Sequence, residues 1–188
     1  HLGVRRQRQM CIRDSDLANT IGNLLNRTSS MSRKWFDNKV PYSENIINEN
    51  KLKNIAIVSV ENYINKFNSY KLDEAADEVL SLAIKTNLYL NDNQPWLLIK
   101  DKNNLPLVKE IIYSVLESTR IIGLLLLPLL PELSSKINEQ LGSMYRKEVT
   151  WKDQLKWGLL ISNSSLPEPK PIITVSYTHL RAHETYPH

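Results

Sequence analysis

The stretch STRIIGLLLLPLLPELSSKINEQLG, residues 118–142, decides the fold class of this 188-residue chain. Its apolar run, residues 121–130, is ten residues long, whereas a membrane-spanning helix needs roughly 20. A run that is apolar on every side and too short to span a bilayer is typical of the buried central helix of a bundle. Pro128 interrupts the run, Pro131 opens a further helix, and Gly142 closes that helix at the C′ position.

Helical periodicity continues on both sides of this stretch. Apolar residues recur at helical spacing and predict helices over about 17–35, 43–67 and 72–90, followed by the central helix over about 106–127. The second helix is expected to start at Ser43, an N-cap residue with an acidic residue in the first turn. No strand pairs and no glycine-rich phosphate loop are found. The sequence therefore predicts an all-α fold, a bundle of about five helices.

The two ends of the chain differ from the rest. RRQRQMCIRDS, residues 5–15, back-translates into a sequence that resembles one arm of a common transposase-based sequencing adapter. VSYTHLRAHET, residues 175–185, resembles the reverse complement of the partner arm. We therefore interpret residues 1–15 and 175–188 as adapter-derived segments and expect both to be disordered. Residues 16–174 are assigned to one domain.

The charge and the chemistry of the domain follow from this division. The flanks hold five of the 24 basic and two of the 20 acidic residues, which leaves 19 basic against 18 acidic residues in the domain. All four histidines and the single cysteine also lie in the flanks. The domain therefore lacks the residues for a Cys- or His-ligated zinc site, a Ser-His-Asp triad or a cysteine nucleophile. Only carboxylate, Lys or Tyr chemistry stays open to an enzyme, and the sequence predicts no catalytic residue and no metal site.

Two polar features lie off the apolar stripes. Asn23 and Arg27 are i,i+4 neighbours on a helix, so an amide and a guanidinium project side by side, which suits the edge of a nucleobase. Pro95 and Trp96 follow the third helix, where the indole is either a plug for the end of the bundle or a stacking platform for an unpaired base. Taken singly, the first pair is more typical of a solvated helix face and the tryptophan of a core aromatic.

The order and spacing of these features resemble the C-terminal anticodon-binding domain of bacterial-type methionyl-tRNA synthetase. The family has a D-L-x-N-x-x-x-N-L-x-x-R helix, a segment that starts with Tyr and ends in Pro-Trp, and a leucine-rich helix with a proline break and a closing Leu-Gly. The matching stretches are DLANTIGNLLNR (16–27), YLNDNQPW (89–96) and LLLLPLLPELSSKINEQLG (124–142), followed by LPEPKP (166–171). The resemblance implies a helical bundle of the class I synthetase type that reads the CAU anticodon of methionine tRNAs.

The resemblance also implies the residues that would contact the anticodon. The family's base-reading positions fall on Asn23, Arg27, Pro95 and Trp96. By this resemblance Trp96 would stack on the first anticodon base, the cytosine, while Asn23 and Arg27 would form hydrogen bonds with anticodon bases. Specific RNA recognition generally uses splayed loop bases in this way.

Supporting roles are expected close to these positions. The family often has an acidic residue five positions before the tryptophan, and this chain departs from that pattern with Asn91, followed by Asp92. Arg33 and Lys34 would supply local positive charge for the RNA backbone. Asn91, Asp92, Arg33 and Lys34 are therefore candidate supporting residues.

The catalytic half of such a synthetase would lie before Asp16. The resemblance implies that its nucleotide-binding fold, with the H-I-G-H and K-M-S-K-S signatures, would hold ATP, and that its zinc knuckle would hold the metal. We therefore expect no cofactor in this chain and no aminoacylation by it alone. The expected partners are the anticodon loop of methionine tRNA and the catalytic domain in cis, and neither DNA nor a membrane. The expected location is cytoplasmic, with the plastid and the mitochondrion as alternatives.

Two other interpretations stay open at the level of sequence. The class I synthetases for leucine, isoleucine, valine and cysteine have related helical domains, although these should lack the paired Asn-x-x-x-Arg and Pro-Trp elements. The chain would alternatively be a helical interaction domain without an RNA role, in which Asn23 and Arg27 are ordinary surface residues and Trp96 belongs to the core.

Overall fold

The computed structural model describes residues 2–42, 50–143, 145–168, 170 and 172, with side chains from residue 16 onward. Within these residues the chain is a bundle of five longer α-helices, with two four-residue helices and one 3₁₀ turn between or after them, and without a β-sheet. The helices are α1 (Leu2–Phe36), α2 (Lys51–Asn68), α3 (Leu72–Asn93), α4 (Pro95–Leu98), α5 (Leu105–Leu126), α6 (Pro131–Gln140) and α7 (Trp151–Gln154). The predicted all-α bundle of about five helices is confirmed.

Helix α5 is the centre of the bundle. Every residue from Ile111 to Leu126 is buried, as expected of a helix that is apolar on all sides. It packs against α1, α2, α3 and α6. Its few polar residues find partners inside the core, and the hydroxyls of Thr86 and Ser118 tie α3 to α5 across 2.7 Å. None of the described helices has the length and hydropathy to cross a membrane.

The start of α1 differs from the prediction. We expected residues 1–15 to be disordered, but the helix begins at Leu2 and continues without a break to Phe36. Arg, Gln, Met and Leu in this segment are all good helix formers. Extending an existing helix also needs no new nucleus, so an apolar face is not required for the segment to be helical. The proposed adapter origin of the segment stays a prediction, and residues 175–188 lie outside the described part of the chain.

The start of α2 also differs from the prediction. Its N-cap is Asn50, which has an extended backbone and accepts a hydrogen bond of 2.7 Å from the amide of Lys53. An extended residue at position 50 interrupts any helix that runs from Ser43, and Ser43 itself lies outside the described residues. Asn is among the residues preferred at the N-cap, because its side-chain oxygen accepts a hydrogen bond from an amide of the first turn, and apolar periodicity does not reveal this signal.

The end of α6 agrees with the prediction. Gly142 follows the helix with φ of 62°, in the left-handed region. Its amide donates to the carbonyl of Glu139 at 3.1 Å, and the amide of Ser143 donates to the carbonyl of Asn138 at 2.9 Å. These two bonds form a Schellman motif, which explains why a glycine closes the helix.

A buried ion pair on α5 holds the C-terminal segment against the bundle. The carboxylate of Glu117 accepts two hydrogen bonds from Arg120, at 2.7 and 2.8 Å. It also accepts hydrogen bonds from the backbone amides of residues 158–160, at 2.8 to 3.1 Å. Arg120 in turn donates to the carbonyls of Gln154 and Lys156. Both charges are thereby paired and hydrogen-bonded, which is the condition for tolerating them inside the core.

Candidate nucleic-acid interface

Helices α1 and α3 lie side by side and run in the same direction. The side-chain amide of Asn87 lies 3.4 Å from the carbonyl of Thr20. Further along both helices, Arg27 reaches Asn91. The second contact joins a later residue of α1 to a later residue of α3, so the two helices run in the same direction. The C-terminal end of α3 therefore lies beside the middle of α1. This arrangement brings the two predicted polar features to one side of the bundle.

The turn from α3 to α4 presents Trp96 to the surface. Gln94 ends α3 in the left-handed conformation, with φ of 43° and ψ of 57°, and its amide donates to the carbonyl of Leu90 at 3.2 Å. Pro95 then takes the first position of α4. A non-glycine residue in this region is strained, and such strain is concentrated at functional sites. Gln94 is not among the predicted site residues, although the following proline is a signal, because it disfavours a helical conformation at the residue before it.

Arg27 and Trp96 are in contact. The guanidinium carbon of Arg27 lies over the indole ring, 5.6 Å from its centroid, which is the geometry of a cation–π interaction. Trp96 is 36% exposed, so it does not plug the core. Arg27 and Trp96 therefore share one surface, on which the tryptophan is partly exposed.

Asn91 fixes the other side of the same guanidinium. The Nη2 group of Arg27 donates a hydrogen bond of 2.8 Å to the Oδ1 atom of Asn91, in the last turn of α3. Arg27 is therefore held at its edge by an amide and at its face by an aromatic ring. Asp92, the neighbouring residue, is exposed and makes no hydrogen bond or ion pair with the described part of the chain.

The remaining predicted residues of α1 extend the polar surface. Asn23 is exposed and lies one turn before Arg27, at the roughly 5 to 6 Å that separates i,i+4 positions. Arg33 and Lys34 are exposed in the last turn of the helix, about 10 Å beyond Arg27 along its axis. Lys34 lies on the same side of α1 as Arg27, whereas Arg33 projects about 120° away from Arg27 around the helix axis.

Pro95 differs from the other three predicted base-contacting residues. Its ring is buried, so it does not offer a surface to a ligand. Its contribution is conformational, because the ring fixes φ at the first position of α4 and has no amide hydrogen to leave unsatisfied. The structure thus brings together Asn23, Arg27 and Trp96 at the surface and buries Pro95.

Tyr89 contributes no charge to this surface. Burial, and to a smaller extent the nearby carboxylate of Glu110, raise the pKa of Tyr89 to about 12. The phenol is thus neutral over the physiological range.

A separate apolar cavity of about 220 Å³ lies at the opposite end of the bundle. It is formed where α3 begins, whereas Trp96 follows the end of α3. The 22 residues of that helix separate the two ends by about 33 Å. The cavity is lined by Leu17, Leu72, Asp73, Ala76, Asp77, Leu80, Leu126, Pro128, Leu129 and Leu130. It takes no part in the surface around Trp96.

Comparison with known proteins identifies the family. Residues 40–166 match the sequence model of the anticodon-binding domain of methionyl-tRNA ligase. The chain belongs to this family. The match includes Asn91, Asp92, Pro95 and Trp96, and it decides against the leucine, isoleucine, valine and cysteine alternatives.

Curated relatives of the methionyl-tRNA ligase family agree with this match. The methionine–tRNA ligase of Synechocystis is 33% identical over 180 residues, which cover 89% of this chain and 34% of that protein. The methionine–tRNA ligase of Caldanaerobacter subterraneus subsp. tengcongensis is 37% identical over 152 residues, which cover 78% of this chain and 23% of that protein. The chain thus spans about a third of the length of the first relative and about a quarter of the second.

The fold also matches solved methionyl-tRNA synthetases. The free-state structure of the Mycobacterium tuberculosis enzyme superimposes with a TM-score of 0.72 at 25% identity, over 85% of this chain and 32% of that one. The complex of the same enzyme with methionyl-adenylate gives a TM-score of 0.71. The surface around Trp96 therefore belongs to an anticodon-binding domain of this family.

Proposed function

We propose that this chain binds the anticodon loop of methionine tRNA and reads its CAU anticodon through the surface formed by Asn23, Arg27 and Trp96. The observation that carries the proposal is the contact of Arg27 with a partly exposed Trp96. A cation and an aromatic face at one point on the surface combine the two features that single-stranded RNA needs, charge for the backbone and a platform for a base.

The chemistry of the three side chains fits an unpaired loop base. Trp96 offers an indole surface on which the cytosine would stack, and stacking tolerates any base because every base has a π face. Sequence information must then come from hydrogen bonds at base edges. Asn23 supplies both a donor and an acceptor, and Arg27 has four N–H groups beyond the one directed at Asn91.

The partial coverage of the relatives supports a proposal about the parent enzyme. We propose that the part of the enzyme outside this chain binds ATP, activates methionine and holds the zinc ion, and that this domain selects the tRNA. In this proposal the two parts act in cis, and the positive residues Arg33 and Lys34 contact phosphates next to the anticodon loop.

The experiment is an electrophoretic shift with two transcripts of methionine tRNA, one with the natural CAU anticodon and one with GAU. The proposal expects the chain to retard the CAU transcript at a concentration at least about tenfold lower than the GAU transcript, since one mismatched base costs about 1 to 3 kcal/mol. Equal retardation of the two transcripts would show that the chain binds RNA without reading the anticodon. No retardation of either would favour a helical interaction domain without an RNA role.

A further inference from the structure

We infer that Ser30 contacts RNA and that its hydroxyl forms, with Arg33 and Lys34, a phosphate subsite for one phosphodiester of the bound strand. The three residues lie on α1 between Arg27 and the end of the helix. This inference rests on the proposed function and deepens it, because it assigns a contact with the RNA backbone beside the residues proposed to read the bases.

The helical spacing gathers the three side chains of the phosphate subsite around one point. Ser30 and Arg33 are i,i+3 neighbours, and Ser30 and Lys34 are i,i+4 neighbours, so the Cβ atoms of each pair are about 5 to 6 Å apart. Around the helix axis Arg33 lies about 60° to one side of Ser30, and Lys34 lies about 40° to the other. All three residues are exposed. The serine therefore projects between two cations on the solvent side of α1.

The hydroxyl of Ser30 is available to a ligand. A serine or threonine inside a helix can donate to the carbonyl four residues earlier, as Thr28 does to Leu24 at 2.7 Å. Ser30 makes no such bond, and it has no hydrogen-bond partner in the part of the chain that the structure describes. Its O–H group can thus donate to a phosphate oxygen while the two cations supply the charge.

No acidic residue nearby on the helix offsets these cations. From Leu17 to Phe36, α1 carries three basic residues and no acidic one. Among the described residues, neither Arg33 nor Lys34 forms an ion pair. The third cation, Arg27, is directed at Asn91 and the indole of Trp96. Arg33 and Lys34 therefore keep their full charge for the RNA backbone.

The subsite borders the surface proposed to read the anticodon. Ser30 follows Arg27 by three positions, which is about 4.5 Å along the helix axis. Contacts with phosphates position a nucleic acid and carry no sequence information directly. Ser30 should therefore affect the affinity for an anticodon loop and leave the preference for one anticodon over another unchanged.

Two substitutions at Ser30 separate the hydroxyl from the charges around it. Ser30→Ala removes the donor alone, whereas Ser30→Asp places a carboxylate between Arg33 and Lys34. Ser69→Ala and Ser69→Asp are the matched controls, because Ser69 is exposed and lies just before α3, at the end of the bundle opposite Trp96. Dissociation constants for CAU and GAU anticodon stem-loops are measured for all four variants and wild type at several salt concentrations.

We expect Ser30→Ala to bind both stem-loops about three- to tenfold more weakly, the effect of losing one hydrogen bond. Ser30→Asp should bind both at least about tenfold more weakly and lower the dependence of log K on log salt by about one unit, because its carboxylate neutralises one cation. The ratio of the two dissociation constants should stay at its wild-type value, and the Ser69 variants should bind as wild type does. Ser30 variants that bind like the Ser69 variants would overturn the inference.

The bound phosphate is located with CAU stem-loops in which one phosphodiester at a time is replaced by an uncharged methylphosphonate. One replacement should weaken binding by wild type about tenfold and binding by Ser30→Asp far less, because that variant has already lost the contact. If every replacement has the same effect on both proteins, Ser30 holds no phosphate and the inference is wrong. If wild type binds neither stem-loop, the proposed function fails and the inference fails with it, whereas CAU binding that does not depend on Ser30 overturns the inference alone.

Discussion

Arg27 and Trp96 lie in contact on the surface of the bundle, 5.6 Å from guanidinium carbon to ring centroid, although 69 positions of sequence separate them. Two features of the fold produce this contact. The parallel packing of α1 and α3 places the end of α3 beside Arg27, and the left-handed Gln94 turns the chain so that α4 presents the indole. The contact thus depends on the tertiary fold. The role of each residue in it can be tested by a single substitution.

Replacing Trp96 separates a binding role from a structural one. Trp96→Ala should weaken binding of a CAU stem-loop by about 1 to 3 kcal/mol, the range for the loss of one stacked base. It should cost less stability than the roughly 3 to 5 kcal/mol of a core aromatic, because the ring is partly exposed. Trp151→Ala is the matched control, since that indole donates to the carbonyl of Leu124 and packs near Tyr63. In RNA titration Trp96→Ala should bind more weakly than Trp151→Ala, whereas in thermal unfolding Trp151→Ala should be the less stable of the two. If one variant were the more impaired in both assays, the assignment would be contradicted.

Arg27 should matter for discrimination as well as for affinity. Arg27→Ala should bring the dissociation constants for CAU and GAU loops closer together, because hydrogen bonds to base edges carry sequence information that phosphate contacts lack. Arg33→Ala removes an equal charge from an exposed position on the same helix. That variant should weaken binding of both loops equally and lower the salt dependence by about one unit. Competition titrations with both loops measure the ratio, and an unchanged ratio in Arg27→Ala would place base reading elsewhere.

Two glycines in helices should respond in opposite ways to alanine. A Cβ atom at Gly123 would lie 2.9 Å from Cγ2 of Ile137 and 3.2 Å from Oδ1 of Asn138. Gly123→Ala should therefore destabilise the domain by about 1 to 3 kcal/mol through overpacking between α5 and α6. At Gly22 the same atom meets nothing within 4 Å, so Gly22→Ala should stabilise α1 by about 0.5 to 1 kcal/mol. Urea unfolding of the two variants checks the signs, and a stabilising Gly123→Ala would show that the two helices do not pack this closely.

The buried ion pair should be far more important for stability than an exposed one of the same spacing. Glu117→Gln removes the charge that pairs with Arg120, whose side chain is 3% exposed, and should cost about 3 to 5 kcal/mol. Glu74→Gln breaks the exposed pair with Lys71, which has the same i,i+3 spacing, and should cost at most about 1 kcal/mol. Equal losses in denaturant unfolding would mean that Glu117 does not hold the C-terminal segment as described.

The sequence predicts the helices of this domain well because their signals are local. The apolar run of α5, the proline that opens α6 and the glycine that closes it each act over a few residues. The first turn of α2 was missed because the cap at Asn50 depends on a single side chain and not on a repeating pattern. The helical start of α1 was missed because helix propensity without an apolar stripe leaves no periodic signal.

The residues of the candidate site are predicted from the sequence more completely than the contacts among them. Spacing and family resemblance together gave Asn23, Arg27 and Trp96, which the structure places on one surface. The burial of Pro95 and the contact between Arg27 and Asn91 depend on how α3 packs against α1. Such contacts between distant parts of the chain are not encoded in any local pattern, so no reading of the separate motifs predicts them.

The most direct test of the central claim is a titration of isotope-labelled protein with CAU and GAU anticodon stem-loops, observed at the indole N–H signals. We expect the signal of Trp96 to shift strongly and saturably with the CAU loop and about tenfold less readily with the GAU loop. The signal of Trp151, whose N–H group donates to the carbonyl of Leu124, should stay in place with both. A Trp96 signal that does not move with the CAU loop, or that moves equally with both loops, would contradict the claim that this surface reads the anticodon.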